Sequence, residues 1–301
     1  MLIAVVFKQV HDCWLAMSIH NTISRVSRTL GISGFGVKSF SWFFKSHIRV
    51  VNYHDIPKHS MDQFKAQIDF ILSFYDPVSP DSLHDFLEGK IRLNRPGVIF
   101  TFDDGFESHA TYVAEYLKNR GIIGWFFVPT AAPLVPPDKQ YAWAYQNLVF
   151  KTEVEQGNRA DRLFAPWDSW VEVCKDHVVA SHTHDHLRFE PKVSKQEVQY
   201  QLMKSSQLIE DRLSLPNRYF CYVGGELGSY SKHAAEAIKE SDVELAFTTC
   251  SRVTVGNTNP LRIERTNIES HFNLDRVYMS LSGIVDLRYS LKRLKLNSCF
   301  S

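Results

Sequence analysis

Along most of the chain, short apolar runs alternate with segments whose apolar residues recur at three- and four-residue spacing. That is the pattern of buried strands interleaved with amphipathic helices. Ile48-Arg49-Val50-Val51-Asn52-Tyr53 predicts a strand, and residues 61–75 predict a helix with Phe64, Ile68, Ile71 and Leu72 on one face and Ser60 as its cap. A short helix over 81–88 follows, then the strand containing Val98, then a helix over 110–119 stopped by Gly121. Residues 122–128 form an apolar run suited to a buried strand. A long helix ending at Leu213 begins at a capping box, with Ser194 as N-cap and Glu197 three residues on. Residues 219–223 predict a strand, 231–241 a helix and 245–249 a strand. Such alternation favours an α/β architecture of parallel strands with helices outside.

Two of the apolar runs end in chemistry. Val98-Ile99-Phe100-Thr101-Phe102 runs into Asp103-Asp104-Gly105, so a buried strand delivers two adjacent carboxylates to its mouth. Adjacent carboxylates repel, and a bound cation is a common way to keep both ionised. The same residues also suit a turn in which an Asp caps the next helix and Gly105 supplies a permissive backbone. After a second run, Val178-Val179-Ala180, comes Ser181-His182-Thr183-His184-Asp185-His186, with three histidines within five residues. Alone this reads either as a solvated histidine-rich loop or as a pair of ligands, His182 and His186, converging on one ion from a helical turn or tight loop. Taken together, one carboxylate and two histidines fill three protein positions of a catalytic metal site and leave room for water and substrate.

These segments resemble the polysaccharide deacetylase family, or NodB-homology domain, whose first motif is Thr-Phe-Asp-Asp-Gly and whose second is His-Ser/Thr-x-x-His. Both stand intact, as Thr101-Phe102-Asp103-Asp104-Gly105 and His182-Thr183-His184-Asp185-His186. The resemblance extends from about Arg49 to Leu281, and Tyr53-His54 looks like the element that opens many exopolysaccharide-type members. It implies a distorted (β/α)7-type barrel with its site at the carboxyl ends of the strands, Asp103 as general base, and Asp104, His182 and His186 as ligands of a divalent metal, zinc being the expected ion. Thr183 then orients the loop or the groups behind the ligands, while His184 and Asp185 read as solvent-facing in preference to hydrogen-bond partners of the ligands. Residues 130–170, with Pro133, Pro136, Pro137, Tyr141, Trp143, Tyr145 and Trp167, become an insertion across the barrel mouth. Their aromatic faces either stack on sugar rings or pack against the barrel.

The third motif departs from the pattern. Arg218-Tyr219-Phe220-Cys221-Tyr222-Val223-Gly224-Gly225 aligns with Phe-Arg-Pro-Pro-Tyr-Gly or Phe-Ala-Tyr-Pro-Tyr-Gly, so that Phe220, Tyr222 and Gly225 match. Cys221 stands where some members carry an arginine that steers the base, Val223 replaces a proline, and Gly224 replaces an aromatic residue. Tyr222, Gly224 and His54 are the candidate substrate-binding residues, and Arg218 a surface or rim residue. Ile268-Glu269-Ser270-His271 is a loose match to the late Leu-x-x-His motif, which makes His271 the candidate acid for the leaving amine. Arg262 and Arg265 resemble the Arg-Ile-x-Arg segment of exopolysaccharide members; each can form an ion pair with Glu264 or another acid, or orient a catalytic aspartate.

Composition narrows the function classes. The 301 residues, 44% of them hydrophobic, suffice for one large core, and the formal charge of +1 argues against nucleic acid as main partner. Five scattered cysteines (Cys13, Cys174, Cys221, Cys250, Cys299) favour a reducing compartment without a disulfide framework. The apolar start, Met1 to Phe7, is too short to span a bilayer and lacks a basic secretion start, which makes the cytoplasm the expected location. Residues 14–48, with Arg25, Arg28, Lys38, Trp42, Phe43, Phe44 and Lys45, read either as a helical cover on the barrel or as a peripheral membrane contact. The expected organisation is an N-terminal helical extension (1–48), one catalytic domain (49–290) and a tail (291–301). The expected activity is metal-dependent removal of an N-acetyl, or else an O-acetyl, group from a carbohydrate. Hydrolysis of a cyclic amide at the same metal, or silent carbohydrate binding, are the alternatives.

Overall fold

Eight parallel strands run in chain order: β1 (Ile48–Tyr53), β2 (Asp76–Pro77), β3 (Gly97–Phe102), β4 (Gly124–Val128), β5 (Val178–Ser181), β6 (Tyr219–Cys221), β7 (Leu245–Thr248) and β8 (Ile263–Asn267). In the computed structural model, which describes residues 46–148, 162–226 and 228–290, β1 pairs with both β3 and β8, so seven strands close into a barrel. The two-residue β2 pairs with the start of β3 at Gly97 and Val98, before β4 pairs with it from Phe100 onward. The barrel is uneven. β1 and β3 pair over six residues, whereas β5 and β6 meet at the single pair Ser181 and Phe220.

The period-2 alternation of each strand sorts its residues between two cores. Ile48 and Val50, Ile99, Trp125 and Phe127, Ala180, Cys221, Leu245 and Phe247, and Ile263 fill the barrel interior, joined by Leu83 and Phe86 of helix α2 (Pro80–Leu87). The intervening residues, among them Val51, Tyr53, Phe100, Phe102, Phe126 and Val128, face outward. They pack against Phe64, Ile68 and Ile71 of α1 (Met61–Leu72) and against residues of the later helices. Those helices are α3 (Ala114–Lys118), α4 (Gln140–Asn147), α5 (Trp167–Val173), α6 (Lys195–Leu213), α7 (Lys232–Lys239) and α8 (Leu274–Leu281). With roughly 1.5–3 kcal/mol for each large apolar side chain fully buried, this two-sided burial fixes the register of every strand.

Several local expectations change. Ser60 sits at the start of α1 with helical dihedrals (φ −93°, ψ −2°), so its hydroxyl makes no capping bond. The extended Ser79, Ser194 and Ser231 do cap their helices. At α6 only half of the capping box forms, because Glu197 Oε1 accepts from Gln201 Nε2 (3.0 Å). The helix expected over 110–119 opens with a wide π turn, His109–Val113. In the 130–170 insertion, Tyr141 and Trp143 pack on a small cluster with Phe106 and Phe164, and Trp167 joins the outer core; Tyr145 is exposed. Residues 1–45, 149–161 and 291–301, and with them the basic-aromatic stretch before Ser46, Cys13, Cys299 and the tail, lie outside the described residues. Cys174, Cys221 and Cys250 are free thiols. No helix among the described residues is long and apolar enough to cross a membrane.

One ion pair ties the end of the described chain to the barrel. The fully buried Arg49 donates from Nη1 to both carboxylate oxygens of Asp286 (2.8 and 3.0 Å) and to Thr266 Oγ1 (3.2 Å). Removing one partner strands the other charge in the interior. Arg49→Met is therefore expected to cost about 3–5 kcal/mol of stability, read as a lower urea midpoint.

Candidate active site

The carboxyl ends of the strands carry the polar inner layer. Asp103 and Asp104 follow β3, and His182 and His186 follow β5 on a tight loop rather than a helical turn. Asp104 (φ 74°), Thr183 (φ 64°) and His186 (φ 57°) all adopt the left-handed region, a cost of order 1–3 kcal/mol each that the surrounding packing sustains. The Thr183 hydroxyl holds the loop by accepting from Leu187 N (3.0 Å).

The loop geometry aims both imidazoles. His182 Nδ1–H donates to the Cys221 carbonyl (2.9 Å) and His186 Nδ1–H to the Asn147 carbonyl (2.8 Å), which leaves each Nε2 facing Asp104 Oδ1, at 3.6 and 3.0 Å. Asp104 Oδ1 is buried, and no hydrogen-bond donor is aligned with it. Burial holds His182 down, to about 4 despite the pull of Asp103, so its Nε2 is a lone pair at neutral pH. For Asp104 burial pushes upward, but His186, His54 and His182 outweigh it and keep the carboxyl well below its ordinary range. The Nε2 atoms of His182 and His186 and a carboxylate oxygen of Asp104 thus converge on one point. Asp104, His182 and His186 form a group able to hold a divalent cation, with ligand atoms within 4.8 Å of one another.

Asp103 is held differently. Arg265, from β8, grips it with two parallel bonds, Nη1 to Oδ1 and Nη2 to Oδ2, both 2.7 Å. The same Nη1 also donates to Asn52 Oδ1 (2.9 Å) and Thr101 Oγ1 (3.1 Å). Burial would raise the Asp103 pKa; Arg265, His182 and His54 outweigh it and hold the carboxyl ionised. The fork uses one lone pair on each oxygen and leaves one on each. Arg265 therefore orients Asp103, although Cys221 fills the third-motif position expected for an arginine. Cys221 itself is buried beside Asp103 and His182. Arg262 instead pairs with Glu264 (2.9 Å).

Asp103, Asp104, His182 and His186, together with Asn52, His54, Arg188, Gly224, Glu226 and Thr249, line a cavity of about 330 Å³. A larger groove of about 780 Å³ between α6 and α7 shares no residue with it and lacks the acid–histidine cluster. His54 Nδ1–H donates to Glu269 Oε1 (3.0 Å). Burial pushes His54 down, but Glu269, Asp104 and Asp103 prevail and lift it to about 10, so it enters the cavity as an imidazolium. His271 is not brought there. It is exposed, packs edge-on against Phe272 (5.0 Å), and is absent from the cavity lining; the late motif contributes Glu269 instead.

Tyr222 likewise turns away, buried between Phe220 (5.1 Å) and Tyr230 (4.9 Å) in the core under α6 and α7. Gly225, whose Cβ would lie 2.5 Å from Thr249 N, lets the third-motif loop cross close to β7. His184 is buried rather than solvent-facing, bonded through Nδ1 to Thr130 Oγ1 (2.9 Å), and half-buried Asp185 accepts from Gln201 Nε2 (2.9 Å). Arg218 lies on the surface and pairs with Glu244.

A family model described as polysaccharide deacetylase matches residues 90–246, just over half of the chain, including both Thr101–Gly105 and His182–His186. The chain belongs to the polysaccharide deacetylase family. As a member it is a deacetylase-type hydrolase acting on carbon–nitrogen bonds. Comparison with curated protein sequences gives no match. Among solved structures this deacetylase is similar to IcaB from Ammonifex degensii (19% identity, 80% of this chain and 97% of that one, TM-score 0.59). It is also similar to the BpsB deacetylase domain from Bordetella bronchiseptica (16%, 74% and 96%, TM-score 0.58). A third is the deacetylase PplD from Streptococcus pyogenes, solved in complex with acetate (15%, 78% and 98%, TM-score 0.59). At these identities the likeness is one of fold, and it agrees with the closed seven-stranded barrel.

Beneath the site, His109 is fully buried, and its Nε2–H donates to the His54 carbonyl (3.0 Å). Burial lowers its pKa to about 4. The unfolded chain, with an ordinary histidine near 6.5, binds the extra proton first. Stability is therefore full above about pH 6.5 and falls as pH drops toward 4, by about 3 kcal/mol from this residue. Urea unfolding from pH 7.5 to 4.5 is expected to show a shallower loss in His109→Gln than in the native protein.

Proposed function

We propose that this deacetylase removes N-acetyl groups from a carbohydrate, with Asp104, His182 and His186 holding zinc and Asp103 acting as general base. The convergence of two imidazole Nε2 atoms and a carboxylate oxygen on one point, with a second carboxylate clamped alongside, carries this reading. Once held there, a divalent cation supplies Lewis-acid polarisation of the acyl carbonyl and acidifies water. Asp103, kept ionised and in one orientation by Arg265, accepts the proton of the attacking water. His54, protonated and steadied by Glu269, gives its own proton to the departing amine, and the proton held by Asp103 leaves to solvent as His54 is protonated again. Asn52 and Thr101, bonded to the same guanidinium, keep the clamp from rotating. Membership of the polysaccharide deacetylase family supports the choice of an acetylated glycan over a cyclic amide, and the intact, clamped Asp103 supports catalysis over silent binding.

Protein loaded with zinc is expected to release acetate from N-acetylated oligosaccharides such as chitotetraose. EDTA should stop the release and added zinc restore it. A fully loaded sample that liberates no acetate from N-acetylated sugars would exclude this function.

A further inference from the structure

One cation on the cavity wall has no task in the chemistry above. Arg188, two residues beyond His186, lines the cavity with a buried Nε that has no hydrogen-bond partner. Among the described residues no carboxylate pairs with it. Glu190, the acid whose charge it influences, is at the surface and bonded to Lys192 (2.9 Å). Of the other charged groups on this wall, Asp103 is matched by Arg265 and His54 by Glu269, while Glu226 also lines the cavity without forming an ion pair to Arg188.

The neighbouring backbone makes room for this guanidinium. Gly224 has φ 75°, and a Cβ there would lie 3.1 Å from Arg188 Nε and 3.3 Å from its Cζ. A side chain at position 224 would crowd the guanidinium, and Gly224 is the residue that replaces an aromatic in the family's third motif. The missing side chain thus leaves room for a planar cation beside the glycine. A guanidinium with unspent donors, partly withdrawn from water beside the reacting group, suits a carboxylate or phosphate in two-point contact.

We infer that Arg188, seated against Gly224, recognises an anionic group, a carboxylate or a phosphate, on the sugar bearing the acetyl group or on its neighbour. The inference rests on the deacetylase reading for the position of the acetyl group, and it names the substrate class as an anionic glycan.

Two matched pairs of probes test it on zinc-loaded native protein, Arg188→Gln and Arg188→Lys. For the carboxylate, kcat/KM for acetate release from hyaluronan tetrasaccharide is compared with that from chitotetraose. For the phosphate, calorimetric binding of glucosamine 6-phosphate is compared with that of glucosamine, and neither of these carries an acetyl group to be removed. The native protein is expected to prefer the anionic member of at least one pair. That preference should fall about 10- to 100-fold in Arg188→Gln and return in part in Arg188→Lys, the scale of one lost charge-assisted contact. The pair that responds identifies the anion. Ratios equal in native and Arg188→Gln protein for both pairs, including equal absence of any preference, would overturn the inference and leave the deacetylase reading intact if acetate appears. An Arg188-dependent preference for glucosamine 6-phosphate without acetate from either tetrasaccharide would sustain this inference while removing the deacetylase reading.

Discussion

Asp103→Asn is expected to lower kcat for acetate release by roughly 10²- to 10⁴-fold, the usual contribution of a positioned general base, while metal content stays near that of the native protein. The separation of effects follows from geometry. Asp104, His182 and His186 supply the converging lone pairs, whereas both oxygens of Asp103 face the Arg265 fork at 2.7 Å. An asparagine retains one acceptor for Arg265 and loses the charge, so the guanidinium is left partly uncompensated in the interior. A lower unfolding midpoint should accompany the loss of turnover. Rates are therefore to be normalised to folded, metal-bearing protein by circular dichroism and elemental analysis. Turnover within about threefold of native would exclude Asp103 as the base.

Removing a ligand histidine should do the opposite, acting on the metal first. His182→Ala and His186→Ala are each expected to weaken zinc affinity by more than about 100-fold, beyond the loss that follows from deleting an outer hydrogen-bond partner of a ligand. Competition with a chromogenic chelator measures this directly. His184→Ala is the internal control. Its ring bonds Thr130 at 2.9 Å and is not part of the Asp104 cluster, so zinc binding should persist. If His184→Ala alone abolished loading, the wrong pair of histidines would have been assigned.

Much of this was legible beforehand for a simple reason. The elements that hold the site are short runs whose apolar periodicity is strong, and the two acid–histidine motifs sit directly at their ends. β1 falls on Ile48–Tyr53 as expected, and α6 begins one residue after its Ser194 cap. What escaped notice was polar. β8 reads Ile263-Glu264-Arg265-Thr266-Asn267, with charge and amide where a strand signal needs apolar residues, because beyond Ile263 its inner face serves the site rather than the core. For the same reason the role of Arg265 stayed open between a local ion pair and a clamp on the base. It lies 162 residues from Asp103, and pairing across that distance depends on β8 closing against β1.

The histidine assignments show the same limit. His271 matched a late motif in sequence, yet Ile268 and Phe272 anchor that segment in the outer core and leave His271 in solvent. Glu269 reaches across to His54 at 3.0 Å. Tyr222 matched as well, but alternation along the chain after β6 turned it into the core beneath α6 and α7.

By itself, the amino-acid sequence determined the α/β alternation, the order of the motifs and the residue types at the site, since these depend on residue chemistry and on spacings of a few positions. Only the closed barrel decided which charges meet: Arg265 with Asp103, Glu269 with His54, and Arg188 with the space left by Gly224. Such pairings are set by strand register and the direction of side chains across the barrel, and a one-residue slip in either would send them to the opposite face.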